Sequence, residues 1–442
     1  MNYLGTRGEP PVGLEQALLA GLAPDGGLYM PETLPAFGPE DFDGLDTLPD
    51  VGKRLLTQFF ADSALAPELA AICGEAFDFP VPCVSLDANG GRLSVLELFH
   101  GPTAAFKDVG ARFLAACMQR LSSAAPAAEH RPLTIMVATS GDTGGAVAAA
   151  FHGRPGFRVV ILYPDGQVSP RQAHQLSCWG DNVLTLAVDG AFDDCQALVK
   201  QAFGHAGLRT AHRLCSANSI NIGRLLPQMV YYAAAGLWTL RAHGEPASFV
   251  IPAGNLGNAL GAILAREVGL PVARVHLATN ENRTIPDFLR DGEYTPRASV
   301  ATLASAMDVG APSNMERLRA LYPDFDHLRT QVTADSVSDD AIREQIRRDH
   351  ARRGQVWCPH TATAACAWER LPIAERERPW VLVATAHPAK FESVVEPLIG
   401  ETVDVPPALA ALLDRPAHRT RIGADLDAVA EALAHWSGGG DA

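Results

Sequence analysis

One lysine in this chain stands in the surroundings of a nucleophile. Leu96-Glu97-Leu98-Phe99-His100 reads as the end of a strand, Gly101-Pro102-Thr103 turns the chain, and Ala104-Ala105-Phe106-Lys107-Asp108 leads onward. Beyond it, Val109, Phe113, Cys117 and Leu121 recur at four-residue steps, one face of a helix. Lys107 therefore sits where a loop becomes a helix, among small apolar residues. An ammonium there meets the positive end of the helix dipole. Burial also disfavours the charged form and lowers a lysine pKa. A lysine that loses its proton readily is an amine nucleophile suited to a Schiff base. A surface lysine lying along apolar neighbours is the commoner fate of the residue type. The rest of the chain decides between them.

Four further stretches carry polar groups at strand ends. Gly254-Asn255-Leu256-Gly257-Asn258 falls between the apolar run Phe249-Val250-Ile251 and a helix. Its glycines let backbone approach a ligand, and N–H groups at a helix start point at an anion. It matches neither GxxxxGK[ST] nor GxGxxG, and an ordinary Asn-capped turn fits the pentapeptide equally well. Ser140-Gly141-Asp142-Thr143-Gly144 offers hydroxyls and N–H groups to a carboxylate, or merely a helix cap. Ser216-Ala217-Asn218-Ser219-Ile220-Asn221, followed by Arg224, suits an anionic substrate group; capping plus one surface arginine is the plainer reading. Thr385 follows Val381-Leu382-Val383 and Ala384, at the carboxyl end of a strand, where ligands of parallel sheets bind. It offers a neutral hydroxyl, whereas His387, before Pro388, reads as structural. A Schiff-base lysine, a phosphate cup, a carboxylate site and a hydroxyl for a ring nitrogen together suit pyridoxal 5′-phosphate bound to an amino acid.

These stretches need a parallel sheet to position them. From about residue 92 the pattern is strand, glycine turn, helix, repeated: 133–138, 158–163, 183–188, 249–251, 275–278 and 380–384 read as strands. Glycine turns leading into helices come twice, so two α/β units are expected. The segment 290–355 is more polar and reads as helices with longer loops. The expected division is an N-terminal, mainly helical lobe at 1–80, a large α/β domain at 81–111 and 216–400, a small one at 112–215, and a helical tail at 401–442. The tail ends in Ser437-Gly438-Gly439-Gly440, expected to fray.

Composition narrows the function class. The net charge of -14 argues against nucleic acid as main partner. Eight scattered cysteines without a CxxC or a Cys/His cluster point to a reducing compartment and to no metal. With no apolar signal core and no run long enough to span a bilayer, a cytoplasmic enzyme is expected, with no membrane partner.

On these motifs, in order and over nearly the whole length, the chain resembles the threonine synthases, fold type II pyridoxal-phosphate enzymes of the tryptophan synthase β family. Gly21-Leu22-Ala23-Pro24-Asp25-Gly26-Gly27-Leu28-Tyr29 is similar to that family's extra N-terminal lobe, and Phe106-Lys107-Asp108 and Thr385 to Phe391 to its site motifs. At 256 and 258, where this chain has Leu and Asn, relatives often show Phe and Asp. The resemblance implies roles. Lys107 binds the cofactor and then shuttles protons as the free amine. The loop Gly254, Asn255, Leu256, Gly257 and Asn258 holds its phosphate. Thr385 partners the pyridine nitrogen. Asp142 stands where many fold type II enzymes carry Asn near the cofactor's 3′-oxygen. Ser140, Gly141 and Thr143 bind the substrate carboxylate, and Ser216, Asn218, Asn221 and Arg224 the substrate phosphate. The implied reaction converts O-phospho-L-homoserine and water to L-threonine and phosphate. Rival readings are a phospho-lyase releasing 2-oxobutyrate and ammonia from that substrate, a dehydratase or sulfhydrylase, and a non-catalytic cofactor-binding homologue.

Overall fold

The computed structural model describes residues 1–86, 91–124 and 131–436; the tail Ser437–Gly440 lies outside them. In the N-terminal lobe β1 (Tyr3–Gly5) pairs antiparallel with β2 (Tyr29–Pro31). Downstream follow β3 (Cys83–Ser85), β4 (Leu93–Glu97), β5 (Leu133–Ala138), β6 (Phe157–Pro164), β7 (Val183–Asp189), β8 (Leu214–Cys215), β9 (Ala247–Pro252), β10 (Val272–Thr279), β11 (Val332–Ser336), β12 (Trp380–Ala384) and β13 (Thr420–Gly423). They build two sheets, in the orders β11-β10-β9-β12-β4-β3 and β13-β7-β6-β5-β8. Both are parallel apart from the antiparallel edge strand β3. Every residue of β9 and β12 is buried, as strands covered by helices on both faces must be.

The expected helical face after Lys107 is present in the helix Lys107–Ala124. Val109, Phe113 and Cys117 on it are fully buried. Phe113 stacks on Phe77 and meets the edge of Phe60, with centroids 5.9 and 5.8 Å apart. Each such burial contributes roughly 1.5–3 kcal/mol. This contact welds the N-terminal lobe to the helix that begins at Lys107.

The short strands β1, β2, β3 and β8 escaped the sequence reading, and so did β11 and β13, which share one reason. In β11 only Val332 is fully buried and the rest is Thr-Ala-Asp-Ser; it is an edge strand, so no apolar run marks it. The tail, expected to be helical, contributes β13 to the edge of the smaller sheet, beside β7. Thr420 and Arg421 there are exposed. Its helix Leu426–His435 packs Val429 and Leu433 against Leu198 and Val199.

Sheet order explains why residues so distant in sequence meet. β9, β12 and β4 are neighbours, so the Gly254 turn, Thr385 and the turn before Lys107 leave one carboxyl edge side by side. In the other sheet β5 and β8 are neighbours, which brings Ser140–Thr143 beside Ser216–Asn221.

Candidate active site

The chain leaves β4 tied to β12. Leu98 N–H donates to Ala384 O at 3.0 Å, and Phe106 N–H donates to Thr385 O at 2.8 Å. The bend between them is held by Asp108. Its carboxylate accepts from Thr103 N–H at 2.8 Å and from the Thr103 hydroxyl at 2.7 Å. Lys107 is thereby fixed as first residue of its helix. Its Nζ donates to Thr143 Oγ1, on the other α/β unit, at 2.8 Å. Burial lowers the Lys107 pKa to about 8; Asp142 opposes that shift, and the cations Arg224 and Lys390 reinforce it. The amine is a usable base near neutral pH.

The turn after β5 is built from within. Thr139 Oγ1 accepts from Gly141 N–H at 3.0 Å and from Gly144 N–H at 2.9 Å. Gly141 has φ 128°, and a Cβ there would lie 2.5 Å from Gln172 Nε2. Asp142 opens the helix Asp142–Phe151. Its Oδ1 accepts from Lys390 Nζ at 2.8 Å and from Gln172 Nε2 at 2.9 Å. Lys390, and after it Lys107, hold this carboxylate well below the usual range against its burial.

The turn after β9 is built from outside. Asn255 donates from Nδ2 to Ser219 Oγ at 2.8 Å, and its Oδ1 accepts from Ser313 N–H. Asn314 Nδ2 donates to Asn255 O at 2.9 Å. Leu256 takes the left-handed conformation, φ 63°, immediately before the helix Gly257–Glu267. Asn258 Oδ1 accepts from Tyr231 OH at 2.6 Å and Tyr232 OH at 2.8 Å, while its buried Nδ2 has no partner. A Cβ on Gly254 would come within 2.8 Å of Met307 Cα.

The polar run 216–221 divides. Asn221 is a cap: its Oδ1 accepts from Gly223 N–H, and its Nδ2 donates to Leu18 O and Ser216 O. Both ends of its amide are used, so the structure assigns it to holding the loop against the N-terminal lobe, not to an anion. Ser216 Oγ accepts from Asn218 N–H at 3.3 Å, and Asn218 Oδ1 is buried without a partner. Arg224 is no surface arginine. It is 3% exposed, with its Nε unpartnered. Burial lowers its pKa to about 10. Gly110 lets the Lys107 helix approach it; a Cβ there would lie 2.9 Å from Arg224 O. Two buried donors, Arg224 Nε and Asn258 Nδ2, thus await an acceptor, and Tyr231 neighbours both. Such donors, with an αL turn opening a helix and a half-buried amine, fit an anionic phosphate and an aldehyde.

Several residues here had no local signal in the sequence. Lys390 lies in the short 3-10 helix Pro388–Phe391, flanked by apolar Ala389 and Phe391. His360, 2% exposed, has its pKa lowered to about 4 by burial, and its Nε2 accepts from Ala306 N–H at 3.1 Å. Arg317 is fully buried and donates to Tyr29 O, Ser219 O, Ile220 O and Asn314 Oδ1, so it ties lobe, polar run and second turn together. His387 caps the turn that carries Lys390: its Nδ1 accepts from Ala389 N–H at 3.2 Å.

The double parallel sheet and the lysine at its cleft define a class, the fold type II pyridoxal-phosphate enzymes. The family model "Pyridoxal-phosphate dependent enzyme" matches residues 77–386. Models for the threonine synthase N terminus and C-terminal region match residues 2–77 and 361–433. Threonine synthase of Escherichia coli K12 is 40% identical over 421 residues, 95% of each chain, and that of Pseudomonas aeruginosa is 35% identical over 94% of each. The crystal structure of the Escherichia coli threonine synthase superposes with TM-score 0.87, 37% identity, covering 98% of this chain and 99% of that one. The pyridoxal-phosphate-bound threonine synthase of Brucella melitensis gives TM-score 0.87 at 35% identity, over 98% and 99%. This chain belongs to the threonine synthase family. Among its described residues no helix is long and apolar enough to cross a membrane.

Proposed function

We propose that the chain converts O-phospho-L-homoserine and water to L-threonine and phosphate by γ-elimination and β-replacement, with Lys107 as its working amine. The observation that carries this reading is the 2.8 Å contact of Lys107 Nζ with Thr143 Oγ1, which brings the amine of one unit to the hydroxyl turn of the other. Lys107 would hold pyridoxal phosphate covalently. The helix-start N–H groups of the 254–258 loop, with Asn258 Nδ2, would hold its phosphate, and Thr385 its ring nitrogen. The bound cofactor supplies the electron sink that makes the substrate's α-proton acidic. As the free amine Lys107 would carry one proton at a time, giving each up before it takes the next: those lost by the α-carbon, the β-carbon and the adding water balance those gained by the departing phosphate, the γ-carbon and the α-carbon, and its flexible stem reaches all of these carbons. Ser140, Gly141 and Thr143 hold the substrate carboxylate. Arg224, with Ser216 and Asn218, takes the substrate phosphate, and its buried Nε is the donor best placed for that work. Asn221 supports this group as a cap. Closure of the two units over the cleft excludes water that would release products early.

We assign 1–80 to the lobe, 81–111 and 216–400 to the large unit and 112–215 to the small one, with β13 supplied to the small sheet by the tail. Eight free cysteines, seven of them buried, support a cytoplasmic setting. The test is a product assay on cofactor-loaded protein with O-phospho-L-homoserine, measuring threonine, 2-oxobutyrate and phosphate together. Threonine equal to phosphate is expected; 2-oxobutyrate equal to phosphate would make the protein a phospho-lyase.

A further inference from the structure

We propose that Lys390 is a positioning residue for Lys107: it clamps the Asp142 turn to the Thr103 turn across the cleft, and the balance of its charge with that of Asp142 sets the proton affinity of the Lys107 amine. The inference rests on Lys107 being the cofactor lysine.

Lys390 and Asp142 are 1% and 3% exposed. Lys390 Nζ donates to Asp142 Oδ1 and to Thr103 O, both at 2.8 Å. Thr103 belongs to the bend that fixes Lys107, and Asp142 immediately precedes Thr143, the partner of Lys107 Nζ. One ammonium therefore grips both sides of the Lys107–Thr143 contact. The grip is closed into a circuit. Gln172 Nε2 donates to Asp142 Oδ1 at 2.9 Å, Ser169 N–H donates to Gln172 Oε1 at 3.2 Å, and Ser169 Oγ donates to Lys390 O at 2.7 Å. Arg171 adds a bond to Ala389 O at 2.6 Å. A buried pair with this many supporting hydrogen bonds holds a defined geometry.

The electrostatics follow from which groups face the amine. Asp142 is the anion; Arg224 and Lys390 are the cations. Thr143 is neutral, and the Asp108 carboxylate is occupied by Thr103. His360, on the helix Pro359–Arg370, faces Asp142 and both lysines as a neutral ring. Asp142 is thus one anion shared between two ammonium groups. Without the Lys390 charge, Asp142 serves Lys107 alone and its ammonium gains stability. Without the Asp142 charge, Lys107 faces only cations and its ammonium loses stability.

The experiment compares Lys390→Met, Asp142→Asn, the double variant and Lys390→Arg. Two titrations are read on the full chain: the absorbance of the bound cofactor against pH, and the rate of acetylation of Lys107 in cofactor-free protein by mass spectrometry. We expect Lys390→Met to raise the apparent pKa by about one unit or more and Asp142→Asn to lower it by a similar amount. The double variant returns close to the parent, and Lys390→Arg keeps the parent value. A packing role alone moves both single variants the same way or neither, and either result overturns the proposal. Should Lys390→Met fail to fold with its stranded carboxylate, the fall in Asp142→Asn and its reversal in the double variant decide the matter. Borohydride reduction and peptide mapping separate the two readings. Cofactor fixed away from Lys107 overturns both, whereas cofactor on Lys107 with an indifferent pKa overturns only this one.

Discussion

The turns 139–145 and 254–258 follow one local plan, a buried parallel strand, a glycine bend and a helix, yet they are held in opposite ways. The first is closed by its own Thr139 hydroxyl and carries a charge, Asp142, at its helix start. The second depends on Ser219, Ser313, Asn314, Tyr231 and Tyr232 from elsewhere in the chain, and its helix opens with Gly257 and the neutral Asn258. A turn with a fixed carboxylate suits cations, hydroxyls and a titrating amine. A turn with spare N–H donors and no negative side chain suits a phosphate. The same backbone pattern is thus turned to opposite electrostatic ends by one side chain and its neighbours.

The largest effect comes from removing what faces the charged turn. Lys107→Ala is expected to lower turnover by about 10³-fold or more and to abolish the borohydride-reducible adduct, while circular dichroism shows a folded protein. A reducible adduct persisting in that variant would sink the assignment.

The two bends themselves should fail differently. In Gly141→Ala the new Cβ meets Gln172 Nε2 at 2.5 Å in a φ 128° conformation, so stability should fall by about 1–3 kcal/mol from overpacking and further from backbone strain. In Gly254→Ala the Cβ meets the Met307 backbone at 2.8 Å, which shifts the phosphate-facing loop. Cofactor affinity should therefore fall more in Gly254→Ala, and the melting temperature more in Gly141→Ala. Equal losses in both measurements would erase the distinction between a self-closed and a supported turn.

The smallest effect is a pH dependence confined to the charged side. In cofactor-free protein Lys107 has a pKa near 8 folded, against 10.5 as the ordinary value. Between those values the unfolded chain binds more protons, so stability rises with pH over that window. Below pH 8 the cost of burying the ammonium is present in full. Denaturant titrations from pH 7.5 to 10 should show this rise in the parent and lose it in Lys107→Met. An identical slope in both would place the titration elsewhere.

Local pattern carried much of the protein. The apolar strands, the glycine bends, the helical face 109, 113, 117 and the positions of Lys107, Thr385 and the 254–258 loop were all legible, because buried parallel strands and the turns after them have strong local signatures. Edge strands β11 and β13 were not, since strands with one wet side and short length leave no apolar run. A cap was the plainer sequence reading of the run holding Asn221, whereas the burial of Arg224 was closed to sequence. Both looked like polar residues at a helix start, and only packing made the second a buried cation with a spare donor.

What the sequence by itself determined is therefore the list of chemical groups and the ends of the elements on which they sit. The tertiary structure alone decided which groups share a charge. Lys390 and Asp142 follow strands of different sheets and meet because the chain crosses from one sheet to the other and returns. Their contact depends on sheet order and on burial, which no local spacing encodes.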